Sequence, residues 1–297
     1  MSLTMRIIFF GIIGIIGGML AWPFAEVLIF FQGSFPSLLV FGIVIGAVVG
    51  LIIGGCFGMN EGILSHSKSK LTSGLIMGII IGIVGGVVGV VLGMQVGLFM
   101  GSSIFFAPAG FKSVGYPLAR ALGWAAFGIF IGIVEGIRSK SIAKVKNGII
   151  GGFLGGFLGG IVFEYSLRLF VPDVLYARLL GFIVLGLCIG IFYGFVENKL
   201  AKASFYLLNG RYKGKEYLLN QHRMTIGREE QTDMTLSDYR MVAGKHATLQ
   251  TKKDKVLLKD ANSKVGTYVN DRRINEAELK DGDVVRVGEA QFLFRLK

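Results

Sequence analysis

The sequence predicts two unlike folds in one chain: an all-α membrane region of six helices, then an all-β sandwich. Three observations carry this. Of 297 residues, 53% are hydrophobic and the mean hydropathy is +0.64, with the apolar excess lying before residue 203. That region holds six runs of the length that crosses a bilayer, roughly 20 mostly apolar residues. After it, short apolar stretches recur about every ten residues between Gly, Asn and Asp turns, the pattern of a sandwich. The expected domains are therefore residues 1–202 and 203–297.

The spans fall at about 6–30 (bent or broken at Pro23), 37–59, 71–99, 117–137, 147–170 and 178–198. The first and third are long enough to require tilt or a kink. Their connecting segments alternate in charge. Lys68 and Lys70 follow span 2, Arg138, Lys140, Lys144 and Lys146 follow span 4, and Lys199 and Lys202 follow span 6. The opposite side carries only Lys112 in one loop, and Arg168, Asp173 and Arg178 around the other. The positive-inside rule then puts both termini in the cytoplasm of an inner-membrane, multi-pass protein.

The net charge of +12 is thus a topology signal in the first half, with 13 Lys/Arg against 6 Asp/Glu through residue 202, and implies no nucleic-acid partner. Arg6 ahead of an apolar run ending near Ala21 has the form of a signal peptide. The internal repeat described next argues for keeping span 1 in the mature protein. Cys56 and Cys188 lie inside apolar spans, so no disulfide is expected. His66, His222 and His246 are far apart, and neither a metal site nor a cofactor is predicted.

The repeat is the chief regularity of the membrane half. Even-numbered spans end in Gly-x-x-x-Gly-x-x-Glu: Gly54/Gly58/Glu61, Gly128/Gly132/Glu135 and Gly190/Gly194/Glu197. The first two copies stay in register beyond the helix, from Glu61-Gly62-Ile63-x-Ser65-x-Ser67 and Glu135-Gly136-Ile137-x-Ser139-x-Ser141 to Gly74 and Gly148. Three helical hairpins (spans 1–2, 3–4 and 5–6) about a pseudo-three-fold axis are expected.

Odd-numbered spans are glycine-built. Gly148, Gly151, Gly152, Gly155, Gly156, Gly159 and Gly160 occupy half of span 5, and span 3 repeats the pattern from Gly74 to Gly97. Such spacing lets helix backbones approach closely, a glycine-zipper packing. Read differently, it lines a path or lets a helix slide. Glu61, Glu135 and Glu197 continue the glycine stripe at one end, while Glu26 and Glu164 mark the other. Structural anchoring by ion pairs is the simpler reading of all five, and an intramembrane ion or proton site the sharper one.

In the second half, strands are expected at Phe205-Tyr-Leu-Leu, Glu216-Tyr-Leu-Leu, Met224-Thr-Ile, His246-Ala-Thr-Leu-Gln, Lys255-Val-Leu-Leu, Thr267-Tyr-Val, Asp283-Val-Val-Arg-Val and Gln291-Phe-Leu-Phe-Arg-Leu. Within and between them stand Ile226-Gly227-Arg228, Asp233, Leu236, His246-Ala247, Asp260, Ser263 and Gly266-Thr267-Tyr268-Val269-Asn270. This ordered set resembles a forkhead-associated (FHA) domain over roughly 205–297, a sandwich whose loops bind phosphothreonine peptides.

The resemblance implies a phosphopeptide surface at Arg228, Ala243, Gly244, Lys245, Ser263, Lys264 and Val265, with Gly227, His246, Gly266 and Asn270 structural. Two positions depart from the family pattern. Ala243 stands where the family presents a phosphate-binding Ser, and Val265 where it presents an Asn for the peptide backbone. Neither offers a side-chain donor, which weakens or abolishes ordinary phosphothreonine binding. Arg228, Lys245 and Lys264 could supply charge instead, and Gly244 leaves backbone N–H groups approachable.

No nucleophile–base pair or P-loop is present, so no enzyme activity is predicted. The leading expectation is a membrane-anchored FHA-like module that recruits a cytoplasmic protein partner, with phosphothreonine as the family's ligand. The alternatives are a three-hairpin channel or transporter regulated by a degenerate FHA domain, and a homo-oligomerising anchor.

Overall fold

The computed structural model describes residues 3–102, 114–169, 173–199, 201, 203–219, 221–252 and 255–296. Lys112 and Lys202, used above for topology, and the final residue of the fifth expected span lie outside them. Among the described residues, seven α-helices precede the strands: α1 (Leu3–Phe30), α2 (Leu38–Gly58), α3 (Asn60–Ser65), α4 (Lys68–Ser102), α5 (Tyr116–Arg138), α6 (Ile142–Leu169) and α7 (Val174–Lys199). Six helical stretches of the described residues are long and apolar enough to cross a membrane, α2 and α3 counting as one. α1 is not broken at Pro23. Proline forfeits one intrahelical hydrogen bond, and an otherwise unbroken apolar helix absorbs that loss.

The six spans form a closed ring in chain order, α1–α2–α4–α5–α6–α7, with α7 returning to α1. The repeat holds down to its caps. His66 and Lys140 both take left-handed backbone (φ 53° and 52°). The next residues, Ser67 and Ser141, donate their N–H groups to Gly62 O and Gly136 O, closing equivalent Schellman turns. Those serines then cap the following helices, accepting from Lys70 N (3.2 Å) and Lys144 N (3.3 Å).

Glycine sets how closely the helices pack. A Cβ at Gly50 would collide with the Gly82 carbonyl, one at Gly54 with Gly78, and one at Gly128 with Gly152. The closest backbone approaches include α2–α4 and α5–α6, seams between successive hairpins rather than within them. α6 carries two glycine rows for two neighbours. Gly148, Gly152 and Gly156 meet α5, whereas Gly151, Gly155 and Gly159 meet α7. The ring closes without a covalent link where Gly14 of α1 meets Gly186 of α7 and Gly190 meets Phe10 O.

Inside the ring, Val49, Ile53 and Phe57 of α2, Phe127 and Ile131 of α5, and Leu185 and Ile189 of α7 belong to one buried apolar cluster. Each set is spaced by four residues and ends on the repeat glutamate, so apolar layers lead to a charged one. The cluster separates two cavities. One, of about 1170 Å³, is lined by Val49, Phe127, Arg120 and Arg178. The other, of about 880 Å³, is lined by Glu61, Glu135 and Glu197 together with residues of the sandwich.

The sandwich comprises β1 (Ala203–Leu207), β2 (Glu216–Leu219), β3 (Arg223–Gly227), β4 (Met234–Thr235), β5 (Ala247–Lys252), β6 (Lys255–Asp260), β7 (Thr267–Val269), β8 (Arg272–Ile274), β9 (Glu276–Leu279), β10 (Val284–Val287) and β11 (Ala290–Leu296). One sheet has the order β2-β1-β11-β10-β7-β8 and the other β4-β3-β5-β6-β9. Alternation explains the core: β11 buries Phe292 and Phe294 and β10 buries Val285 and Val287, while Ile226 and Leu258 enter from the second sheet. Phe205 pairs with Phe294 across β1–β11. Asn270 and Asp271, with φ of 49° and 62°, form the tight β7–β8 turn.

The sandwich is seated on the ring end that carries the charged layer. Lys215 Nζ donates to Leu64 O (3.1 Å), and the Tyr212 ring lies 5.4 Å from that of His66. Ser67 Oγ donates to Glu230 Oε2 (3.1 Å), and Lys70 Nζ donates to Thr232 O (2.7 Å).

Candidate peptide-recognition site

Three loops make one continuous surface because backbone and buried side chains tie them together. At the end of β3, Arg228 N–H donates to Ala243 O (3.0 Å) and Glu229 N–H to Gly244 O (3.1 Å). Gly227 permits that approach, since a Cβ there would collide with the Gly244 carbonyl. His246, fully buried, joins this pair to the third loop. Its Nδ1 accepts from Ala243 N (3.0 Å), which leaves the proton on Nε2 to be donated to Gly266 O (3.2 Å). Tautomer and position together make His246 a brace.

The β6–β7 loop is organised on Asp260. Its carboxylate accepts from Ser263 N (2.9 Å), Ser263 Oγ (2.7 Å) and Thr267 Oγ1 (2.6 Å). Burial alone would raise the Asp260 carboxyl, but hydrogen bonds from Thr267 and Ser263 outweigh it and hold the group below the ordinary aspartate value. Ser263 is buried, and its hydroxyl also accepts from Gly266 N (3.0 Å), so its hydrogen bonds are spent inside the loop. Asn270 braces a neighbouring turn, donating from Nδ2 to Asp283 (2.8 Å) and accepting from Val284 N (2.9 Å).

Of the expected surface residues, Arg228, Lys245 and Lys264 are exposed, and Ala243, Gly244 and Val265 are half-buried between them. Two further residues enter that sequence reading missed. The Glu229 carboxylate lies over Gly244, where an added Cβ would strike it, so a negative charge stands beside the position that lacks its serine. Arg273, paired with Tyr268 across the β7–β8 hairpin, lays its guanidinium against Gly266. Glu229 adjoins Arg228 in the sequence, a weak signal. Arg273 is brought in only by the hairpin register, which no local pattern gives.

The five glutamates of the membrane half are all paired. Arg6 bridges two of the repeat copies, at 3.3 Å from Glu197 and 3.9 Å from Glu61. Arg138 grips Glu135 with two bonds of 2.7 Å, and Lys144 adds a third contact at 3.3 Å. At the opposite end Arg178 holds Glu26 (2.6 and 2.8 Å), while Arg120 holds Glu164 at 3.0 Å. The repeat thus brings Glu61, Glu135 and Glu197 to one cavity, and keeps Glu26 and Glu164 apart from them.

Fold and loop arrangement together define an FHA-like sandwich carried by a helical membrane region. A family model described as the inner membrane component of T3SS, cytoplasmic domain, matches residues 206–297. Among curated proteins, the FHA domain-containing protein FhaA of Mycobacterium tuberculosis is 34% identical over 83 residues, 28% of this chain and 16% of that protein. The oxoglutarate dehydrogenase inhibitor of Corynebacterium jeikeium is 32% identical over 85 residues, 29% of this chain and 58% of its own length. The glycogen accumulation regulator GarA of M. tuberculosis is 32% identical over 29% of this chain and 52% of its own. The match therefore spans less than two thirds of each of these relatives.

Similar solved structures include the FhaA FHA domain complexed with the intracellular domain of Rv3910. It is 31% identical and covers 31% of this chain and 99% of that one, with a TM-score of 0.29. The FHA domain of CT664 from Chlamydia trachomatis is 27% identical over 32% of this chain and 98% of its own, with a TM-score of 0.30.

Proposed function

We propose that this chain is a membrane-anchored interaction protein whose FHA-like loops recruit a cytoplasmic protein partner in signalling, with both termini in the cytoplasm. The observation that carries the reading is the three-loop surface pinned from beneath by His246, with Arg228, Lys245 and Lys264 left exposed on it. Its partner is an extended peptide segment, read mainly by backbone groups and by those cations. Phosphothreonine adds little. Ala243 supplies no donor to a phosphate and Val265 none to the peptide backbone beside it, and each missing donor removes about 1–3 kcal/mol from binding. Glu229 over Gly244 adds like-charge repulsion against a phosphate dianion.

Capture from cytosol on the full chain in nanodiscs, with and without phosphatase treatment, tests this. The expected result is the same partner in both samples, lost when Arg228 and Lys264 are changed to Glu. Titration with phosphothreonine and matching unphosphorylated peptides should differ by less than about tenfold. Glu229→Gln should widen that gap in favour of the phosphopeptide. A partner retained only without phosphatase overturns the weak-phosphate reading, and one indifferent to Arg228→Glu and Lys264→Glu overturns the site.

A further inference from the structure

The two best-matched repeat copies share their backbone turns and serine contacts but differ in where their first-turn lysine points. Ser65 Oγ and Ser139 Oγ donate back to Glu61 O (2.6 Å) and Glu135 O (2.7 Å). Gly62 packs on Leu71 as Gly136 packs on Val145. Lys70 and Lys144 occupy the same place in the first turn of α4 and α6, and both are buried. Here the copies part. Lys144 Nζ turns into the ring and pairs with Glu135 (3.3 Å). Lys70 Nζ turns outward to the sandwich, donating to Thr232 O (2.7 Å) and Thr235 Oγ1 (3.1 Å).

That outward position is costly. The Lys70 ammonium is buried on two neutral oxygens, with no carboxylate within 4 Å among the described residues. A buried cation is better matched by a carboxylate than by neutral acceptors. Its counterpart for the inward position is Glu61, the repeat equivalent of Glu135, whose ion pair within 4 Å among the described residues is with Arg6 at 3.9 Å, and which Lys144 also faces. Lys70 and Glu61 line the same cavity of about 880 Å³, so the side chain has space between the two positions. The sandwich holds its side of the contact with Glu230, which accepts from Ser67 Oγ (3.1 Å) and Ser69 N (3.3 Å).

We propose that Lys70 is a two-position latch. Outward, it fastens the sandwich to the ring. Inward, it pairs with Glu61 as Lys144 pairs with Glu135, and the sandwich is released. Docking and the Glu61 ion pair compete for one ammonium, so each weakens the other.

The test uses the full chain in nanodiscs, with spin labels at Lys146→Cys and Arg272→Cys after both native cysteines are changed to Ser. The distance distribution reports docked and released sandwich. Glu230→Gln loosens docking and should add a second, longer distance. On that background Glu61→Gln removes the competing carboxylate and should cut the released population about twofold or more. Glu164→Gln, which removes a buried carboxylate at the opposite end of the ring and leaves the cations around Glu61 in place, should leave that population unchanged. Lys70→Met should release the sandwich by itself. The latch is rejected if Glu61→Gln and Glu164→Gln act alike, if Glu230→Gln leaves a single docked distance, or if Lys70→Met stays docked.

Discussion

At the scale of single residues, the proposed recognition surface depends on groups that never reach it. Asp260 fixes the β6–β7 loop from below, and its lowered pKa gives a signed expectation. A carboxyl whose folded pKa lies below its unfolded value contributes stability that is complete above the unfolded pKa, about 3.9. That contribution is lost as pH falls through the folded pKa. Asp260→Asn should therefore cost about 1 kcal/mol at neutral pH, the scale of a net hydrogen bond. Thermal unfolding of the sandwich followed from pH 7 to 2 should show wild type and variant converging only at the acidic end; a gap constant with pH would discount the carboxylate's role. Ala243 and Val265 could be read as missing donors because they are departures at motif positions. Glu229 and Arg273 could not, since their relevance comes from where backbone pairing puts their charges.

At the scale of elements, the six spans were legible because about 20 apolar residues in lipid can do little but form a helix. Their ends were less so. The second span continues through α3 to Ser65, past the charge at Glu61, because Arg6 neutralises that end from another helix. In the sandwich, β4, β8 and β9 escaped notice. β4 has two residues, and β8 and β9 are rich in exposed Arg and Glu, as suits strands at sheet edges. Glycine placement was visible, but which row faced which helix was not, and the close seams include ones between hairpins.

Those seams make a sharp contrast. Gly152→Val drives a side chain into the Gly128 carbonyl and should destabilise the ring by about 3 kcal/mol or more. Among the described residues a methyl at Gly97 meets only Ala119 Cβ at 3.8 Å, so Gly97→Ala should be nearly neutral. Retention of monodisperse protein during heating in detergent separates the two, and equal losses would refute the seam.

At the scale of the whole molecule, the ring is occupied rather than hollow. Ile53, Phe57, Ile131 and Ile189 line neither cavity and lie in the cluster between them. The repeat carboxylates at its edge are paired with Arg6, Arg138 and Lys144. Reconstituted in liposomes, the chain should pass ions no faster than empty vesicles, and Glu135→Gln should not change that. A flux abolished by Glu135→Gln would restore the transport reading. The three-hairpin repeat could be drawn from the sequence alone. The seating of the sandwich could not, because it rests on single contacts such as Lys70 to Thr232 that break the repeat.

The closing seam has a further consequence. Five of the six helix-to-helix contacts in the ring join neighbours along the chain, whereas α1 meets α7 with no chain connection between them, through Gly14, Gly186 and Gly190 and the Arg6–Glu197 and Arg178–Glu26 ion pairs. An open ring therefore presents two complementary free faces, one on its first helix and one on its last. The α1 of a second molecule would fit the vacant face of α7 as well as its own does. Self-closure prevails only while the local concentration of a chain's own first helix exceeds that of every other copy in the bilayer. The N-terminal helix is thus a clasp, and crowding in the membrane sets how often it fastens to the wrong molecule.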